Sequence, residues 1–126
     1  MREGGQPERP AVHVLSVAAG PVEREVLAGI EEEGVPFVLS RPAADTDADE
    51  LAHTAAQGSP LDVGVGIDRH GRVCIRHEML TAPMPDLECD GGASVDAARA
   101  AGHNAARIVV GVPLRLSPTV ARSAAT

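Results

Sequence analysis

The feature that most constrains this chain is an amphipathic helix that runs straight into a buried strand. Val22, Val26, Leu27 and Ile30 recur at helical spacing, Gly34 stands where a helix ends, and residues 35–39 continue as an apolar β run. Such a unit belongs to an α/β layered fold. Three carboxylates, Glu31, Glu32 and Glu33, crowd the junction. The unpaired carbonyls of a helix C-terminus carry partial negative charge, so the last turn favours Lys or Arg by about 0.3–1 kcal/mol. From the run alone a solvated acidic corner is the first reading, and a cost tolerated for a partner, a cation above all, is the alternative.

Other elements follow from the same signals. Residues 11–17 form a first β run, and Pro21 opens the helix at a favoured first position. Residues 47–57 have helical composition anchored by Leu51, and Gly58-Ser59-Pro60 stops them. A third strand over 61–67 and a fourth over 72–77 flank Asp68-Arg69-His70-Gly71, which reads as a hairpin turn between antiparallel strands. Residues 84–89 read as a short fifth strand. Ser94 can cap a last helix running to about Val110, where Gly111 and Pro113 end it. The order β-α-β-α-β-β-β-α predicts a three-layer α/β/α domain with a mixed, mostly parallel sheet. Residues 1–10 are expected to be disordered, 11–116 to form the single domain, and 117–126 to be a flexible tail.

Composition narrows the function. With 126 residues the chain supports one core, and a net charge of −7 with Phe37 as sole aromatic argues against nucleic-acid binding. No apolar run is long enough to cross a bilayer, and the polar start lacks a signal-peptide pattern. Cys74 and Cys89 are too few for a disulfide framework and read as reduced thiols of a cytoplasmic protein.

No self-sufficient active site is visible. The turn Ala18-Ala19-Gly20-Pro21 lacks the dinucleotide fingerprint, and the chain contains no lysine for a phosphate-binding loop. Gly64 and Gly66 fall inside a strand, where they suit close packing. The five histidines show no zinc spacing with the cysteines. His13 reads as a packed strand residue and His70 as a hairpin tip. On the last helix, Ala98, Gly102, Ala105 and Val109 form a small-residue stripe suited to packing on a sheet. Arg99, His103 and Arg107, four apart, share another face, either solvated or a docking surface for an acidic partner. With Ile30 facing the core, Glu32 points about 200° away at about 100° per residue, Glu33 falls toward Val26, and Glu31 sits beside Leu27. Glu32 is thus expected to project furthest from the body.

Three blocks together resemble the small subunit of diol and glycerol dehydratase-reactivating factors. They are Glu25-Val26-Leu27 through Gly34-Val35-Pro36-Phe37, Ser59-Pro60-Leu61 through Asp68-Arg69-His70, and Gly102-His103-Asn104-Ala105-Ala106-Arg107 through Gly111-Val112-Pro113. The resemblance spans residues 11–116. It implies a five-stranded sheet of order 21345 with the fourth strand antiparallel. It implies a non-catalytic subunit that pairs with an actin-like, chaperone-type ATPase large subunit and rescues adenosylcobalamin-dependent dehydratases. The implied mechanism is subunit exchange that lets damaged cobalamin leave. A glutamate of the acidic run would reach a magnesium ion at the large subunit's nucleotide site. That role maps onto Glu32, with Glu31 and Glu33 as alternatives, and the isolated chain would hold no cofactor. The expected location is cytoplasmic, with association with a bacterial microcompartment left open. Glycerol and 1,2-propanediol remain equal as client substrates. The competing readings are the dehydratase's own cobalamin-contacting subunit and a free-standing α/β small-molecule-binding domain.

Overall fold

The structure is a computed structural model and describes residues 10–17, 19–78, 88–89 and 94–110. The expected disordered start (apart from Pro10), most of the fifth-strand region and the expected tail lie outside the described residues. The elements are β1 (Val12–Ser16), α1 (Pro21–Glu32), β2 (Phe37–Ser40), α2 (Ala48–Gly58), β3 (Val63–Ile67), β4 (Val73–His77), β5 (Glu88–Cys89) and α3 (Val95–Val110). Their order matches the sequence expectation.

β1 lies between β2 and β3 and is parallel to both, with Val14 in register with Leu39 on one side and Val65 on the other. β3 and β4 are antiparallel, joined through Asp68–Gly71, where Gly71 takes φ 81 and the Asp68 carboxylate accepts from the His70 and Arg72 amides. β5 pairs antiparallel with β4, which extends the order to β2-β1-β3-β4-β5. The expected five-stranded sheet, with a short fifth strand over 84–89, is corrected in one respect: among the described residues the sheet has four strands of four or five residues, in the order 2-1-3-4, and a fifth strand of only two residues, Glu88–Cys89, at its edge. The third strand also starts later than expected. Asp62 adopts φ 62, and its carbonyl accepts from the Glu78 amide, so the chain turns there before the sheet begins.

Helices cover both faces. α2 lies directly on β3, where Gly64 and Gly66 leave room for it. A Cβ at Gly64 would stand 2.1 Å from the Ala56 amide nitrogen, and one at Gly66 2.2 Å from the Ala48 carbonyl. Ala48 and Ala52 with the buried side chain of Cys74 fill this layer. On the opposite face, α1 and α3 cover a larger core of Val12, Val14, Val26, Ile30, Val63, Val65, Ile75, Ala98 and Ala105. Burial of its valine and isoleucine side chains stabilises by about 1.5–3 kcal/mol each. Asp47 and Ser94 cap α2 and α3, each accepting from the amide three residues on.

Candidate functional site

α1 ends where its own sequence provides no base: its last turn holds none, and Glu33 forms the C-cap before Gly34 turns at φ 78. The neutralising groups come from α3 instead. Arg99 donates to Glu25 at 2.8 Å through Nε and to Glu32 at 2.7 Å through Nη1. His103 lies between two carboxylates, with Nε2 at 2.8 Å from Glu32 and Nδ1 at 2.6 Å from Glu33. Arg107 closes the row, its Nε 2.9 Å from Glu33. A neutral imidazole donates from only one nitrogen. Both His103 contacts are therefore hydrogen bonds together only in the imidazolium form.

The row corrects two expectations. Arg99, His103 and Arg107 do not form a face clear of the rest of the chain, because their acidic counterpart is α1 itself. Glu32 does not project free of the body either. Its side chain is 50% exposed, but both its oxygens have partners on α3. The physical reason is the helix crossing. A Cβ at Gly29 would meet the Arg99 carbonyl at 2.3 Å, and one at Gly102 would meet the Val26 carbonyl at 2.1 Å. The helices therefore meet backbone to backbone in one layer, and Gly102 serves α1 rather than the sheet. The flank of α1 assigned to solvent faces this neighbour.

Glu33 is the most enclosed of the run, its side chain 17% exposed. Hydrogen bonds from His103 and then Arg107 outweigh its partial burial and hold its carboxyl below the usual range. Burial works against the Arg99 charge, but the bonds to Glu25 and Glu32 prevail and raise its pKa. Glu31 is exposed, with no ion pair among the described residues.

The donor set bears on a magnesium role. Magnesium takes oxygen ligands and is often held by one or two carboxylates together with phosphates. A carboxylate offers about four lone-pair sites, and Arg99 and His103 each occupy one on Glu32. Its half-exposed face is free for a hard cation, so the residue fits as a single ligand. Among the described residues no group of three or more His, Cys, Asp or Glu could hold a metal ion. A complete site would need donors beyond those that the described residues bring together.

A second polar cluster went unread in the sequence. Glu23, in the first turn of α1, is buried beside Arg41, which follows β2 and also donates to the Ser16 carbonyl at 3.1 Å. Burial pushes the Glu23 carboxyl up, but hydrogen bonds from Arg41 and Ser16 hold it below its ordinary value. The acid at the first turn of a helix was the available signal. Its partner lies 18 residues away and became visible only once β1 and β2 were paired. The hollow beside this cluster, about 280 Å³, lies between Gly20–Glu23 and Asp68–Gly71 at the C-terminal ends of β1 and β3.

Comparison with known proteins decides the lineage. The family model described as dehydratase medium subunit matches residues 9–115. The chain belongs to that family. Within it, the chain is similar to small subunits of reactivating factors. The propanediol dehydratase-reactivating factor small subunit of Salmonella typhimurium is 44% identical over 72% of this chain and 77% of its own length. The diol dehydratase-reactivating factor small subunit of Klebsiella michiganensis is 39% identical over 88% of each chain. Among solved structures, diol dehydratase-reactivating factor complexed with ADP and Mg2+ matches with a TM-score of 0.74 and 37% identity, over 86% of this chain and 99% of that one. A glycerol dehydratase reactivase matches with a TM-score of 0.76 and 32% identity, over 84% of this chain and 96% of that one. The resemblance read from the three sequence blocks is thus shown, as is the reactivase fold.

Proposed function

We infer that this member of the dehydratase medium subunit family is the non-catalytic, cytoplasmic small subunit of a dehydratase-reactivating factor. Its partner is an actin-like, chaperone-type ATPase large subunit, and its client is an adenosylcobalamin-dependent diol or glycerol dehydratase. The small subunit exchanges for its look-alike in the inactivated dehydratase and so opens a way out for damaged cobalamin. The observation that carries this reading is Glu32: a half-exposed carboxylate at a helix end, with both oxygens held by partners on α3. A relative solved with ADP and Mg2+ supports a nucleotide-linked cation as what it meets. Magnesium bound there would neutralise phosphate charge and join the two subunits. This chain's part is to supply one oxygen ligand from a rigid helix pair.

A second reading is favoured by the family's own description: the chain could be a medium subunit of the dehydratase itself, contacting cobalamin. Co-purification from the native host separates the two. Recovery with an actin-like ATPase, dependent on Mg2+ and nucleotide, is expected. Recovery only with the catalytic large subunit of a dehydratase would replace the first reading with the second.

A further inference from the structure

Glu25 and Glu32 are seven residues apart on α1, about two turns, so their side chains leave the same flank. Arg99 spans them. Its Nε and Nη2 sit 2.8 and 2.7 Å from one oxygen of Glu25, and its Nη1 sits 2.7 Å from Glu32 Oε2. The guanidinium is therefore seated on Glu25 before it reaches Glu32. Two glycines make this reach possible by bringing the helix backbones together.

The geometry points to Arg99, seated on Glu25, as a positioning residue that presents the Glu32 carboxylate to a divalent cation bound with nucleotide on the large subunit. This rests on the reading of Glu32 given above and extends it to a residue that touches neither metal nor nucleotide. A glutamate at a helix end has three side-chain torsions and, left alone in water, spreads over many rotamers. Arg99 fixes one oxygen and His103 approaches the other, which leaves the remaining lone pairs on the exposed side. Hydrogen bonds of this kind to a ligating carboxylate commonly govern metal affinity by about 10–100-fold. A lysine cannot substitute, because a single ammonium lacks the planar fork that bridges two carboxylates. A role in charge balance alone would make Arg99→Lys silent. The positioning role would not.

The test measures association of the intact chain with the large subunit in ADP plus Mg2+ and in ADP plus chelator. Arg99→Gln, Arg99→Lys, Glu32→Gln and the Arg99→Gln/Glu32→Gln double variant are compared. Both Arg99 variants should weaken the Mg2+-dependent association by about tenfold and leave the Mg2+-independent part unchanged. The double variant should be no worse than Glu32→Gln, because two residues acting through one contact are not additive. Thermal melts establish that each variant is folded, and Arg99→Lys, which keeps the charge, carries the test if Arg99→Gln does not fold. If Glu32→Gln weakens association while both Arg99 variants behave like the parent, the positioning role is overturned and the Glu32 reading stands. Stronger association of Arg99→Gln would overturn it too, as would a loss that is independent of Mg2+ or adds to Glu32→Gln. If Glu32→Gln itself has no effect, the metal reading fails and this inference falls with it.

Discussion

The Cβ position of Gly29 lies 3.1 Å from the Cα of Gly102, so α1 and α3 cross with nothing but backbone between them. The acidic end of α1 meets the basic row of α3 because of this crossing. Glu25 pairs with Arg99 early in the two helices and Glu33 with Arg107 late, so the helices run in the same sense. The ion pairs are thus a consequence of packing as well as a contribution to it.

Gly29→Ala tests that dependence. Helix propensity alone favours alanine by about 1 kcal/mol. The new Cβ would stand 2.3 Å from the Arg99 carbonyl and 2.9 Å from the His103 amide nitrogen, both main-chain atoms that cannot swing aside. Overpacking of this kind costs about 1–3 kcal/mol, and more where backbone must move. The clash outweighs the propensity, and a net loss of about 1–2 kcal/mol is expected in urea unfolding. A variant as stable as the parent would mean that the helices stand further apart.

Acid should unfold the chain through its paired carboxylates. Glu33, held low by His103 and Arg107, and Glu23, where Arg41 and Ser16 outweigh burial, both have folded-state pKa values below their ordinary ones. On lowering the pH the unfolded chain takes up these protons first. The stabilisation is complete above the unfolded carboxyl value of about 4.3 and is lost as the pH falls through the lower folded values. Melting temperature should therefore fall steeply below about pH 4.3. Glu33→Gln should melt lower near neutrality and show a shallower acid slope. An unchanged slope would mean that the Glu33 pairs do not persist in solution.

Much of the fold was legible because periodicity reports directly on which side of an element is buried. Val22, Val26 and Ile30 gave α1, and the polar turn at Asp68–Gly71 gave the antiparallel pair β3–β4. Gly64 and Gly66 were readable as room for a close neighbour, which is α2. The candidate site was legible only in part. Both charged sets, Glu31–Glu33 and Arg99–Arg107, stood out, but their mutual contact did not. Periodicity separates core from surface and is silent on which surface flank meets a neighbouring helix. The usable signal was a glycine in the middle of each helix, Gly29 and Gly102, at a propensity cost that only a close crossing would justify. Read together, they would have placed the bases against the acids.

The isolated chain is expected to bind no nucleotide at low micromolar concentration. The turn into α1 carries one glycine and no lysine, so phosphate would meet neither a glycine-rich cradle nor an ammonium group. Calorimetric titration with ATP and Mg2+ should give no saturable heat in the range that corresponds to about −8 kcal/mol. A clear micromolar isotherm would place nucleotide recognition in this subunit and remove the division of labour proposed for the complex.

The three glutamates should separate in the free subunit when each is replaced by glutamine. A carboxylate at a helix C-terminus with no partner opposes the helix dipole, so its removal gains a little stability. That argument, applied to Glu32 without knowledge of its neighbours, gives a slightly more stable Glu32→Gln. Arg99 and His103 on its two oxygens reverse the sign, since the substitution now deletes two favourable contacts, although Arg99 keeps Glu25 and His103 keeps Glu33. Exposed pairs contribute less than about 1 kcal/mol as a rule, and Glu32 is half exposed, so its loss should be small. Glu33 is more enclosed and pairs with His103 and Arg107, so its loss should be larger. Glu31, exposed and outside the row, keeps the simple dipole logic. Melting temperatures should therefore rank Glu31→Gln at or above the parent, Glu32→Gln slightly below it, and Glu33→Gln lowest. The ranking should collapse in high salt, which screens the exposed Glu32 pairs first. If Glu32→Gln is the most stable of the three, its contacts with α3 are absent in solution, and Arg99 has nothing to position.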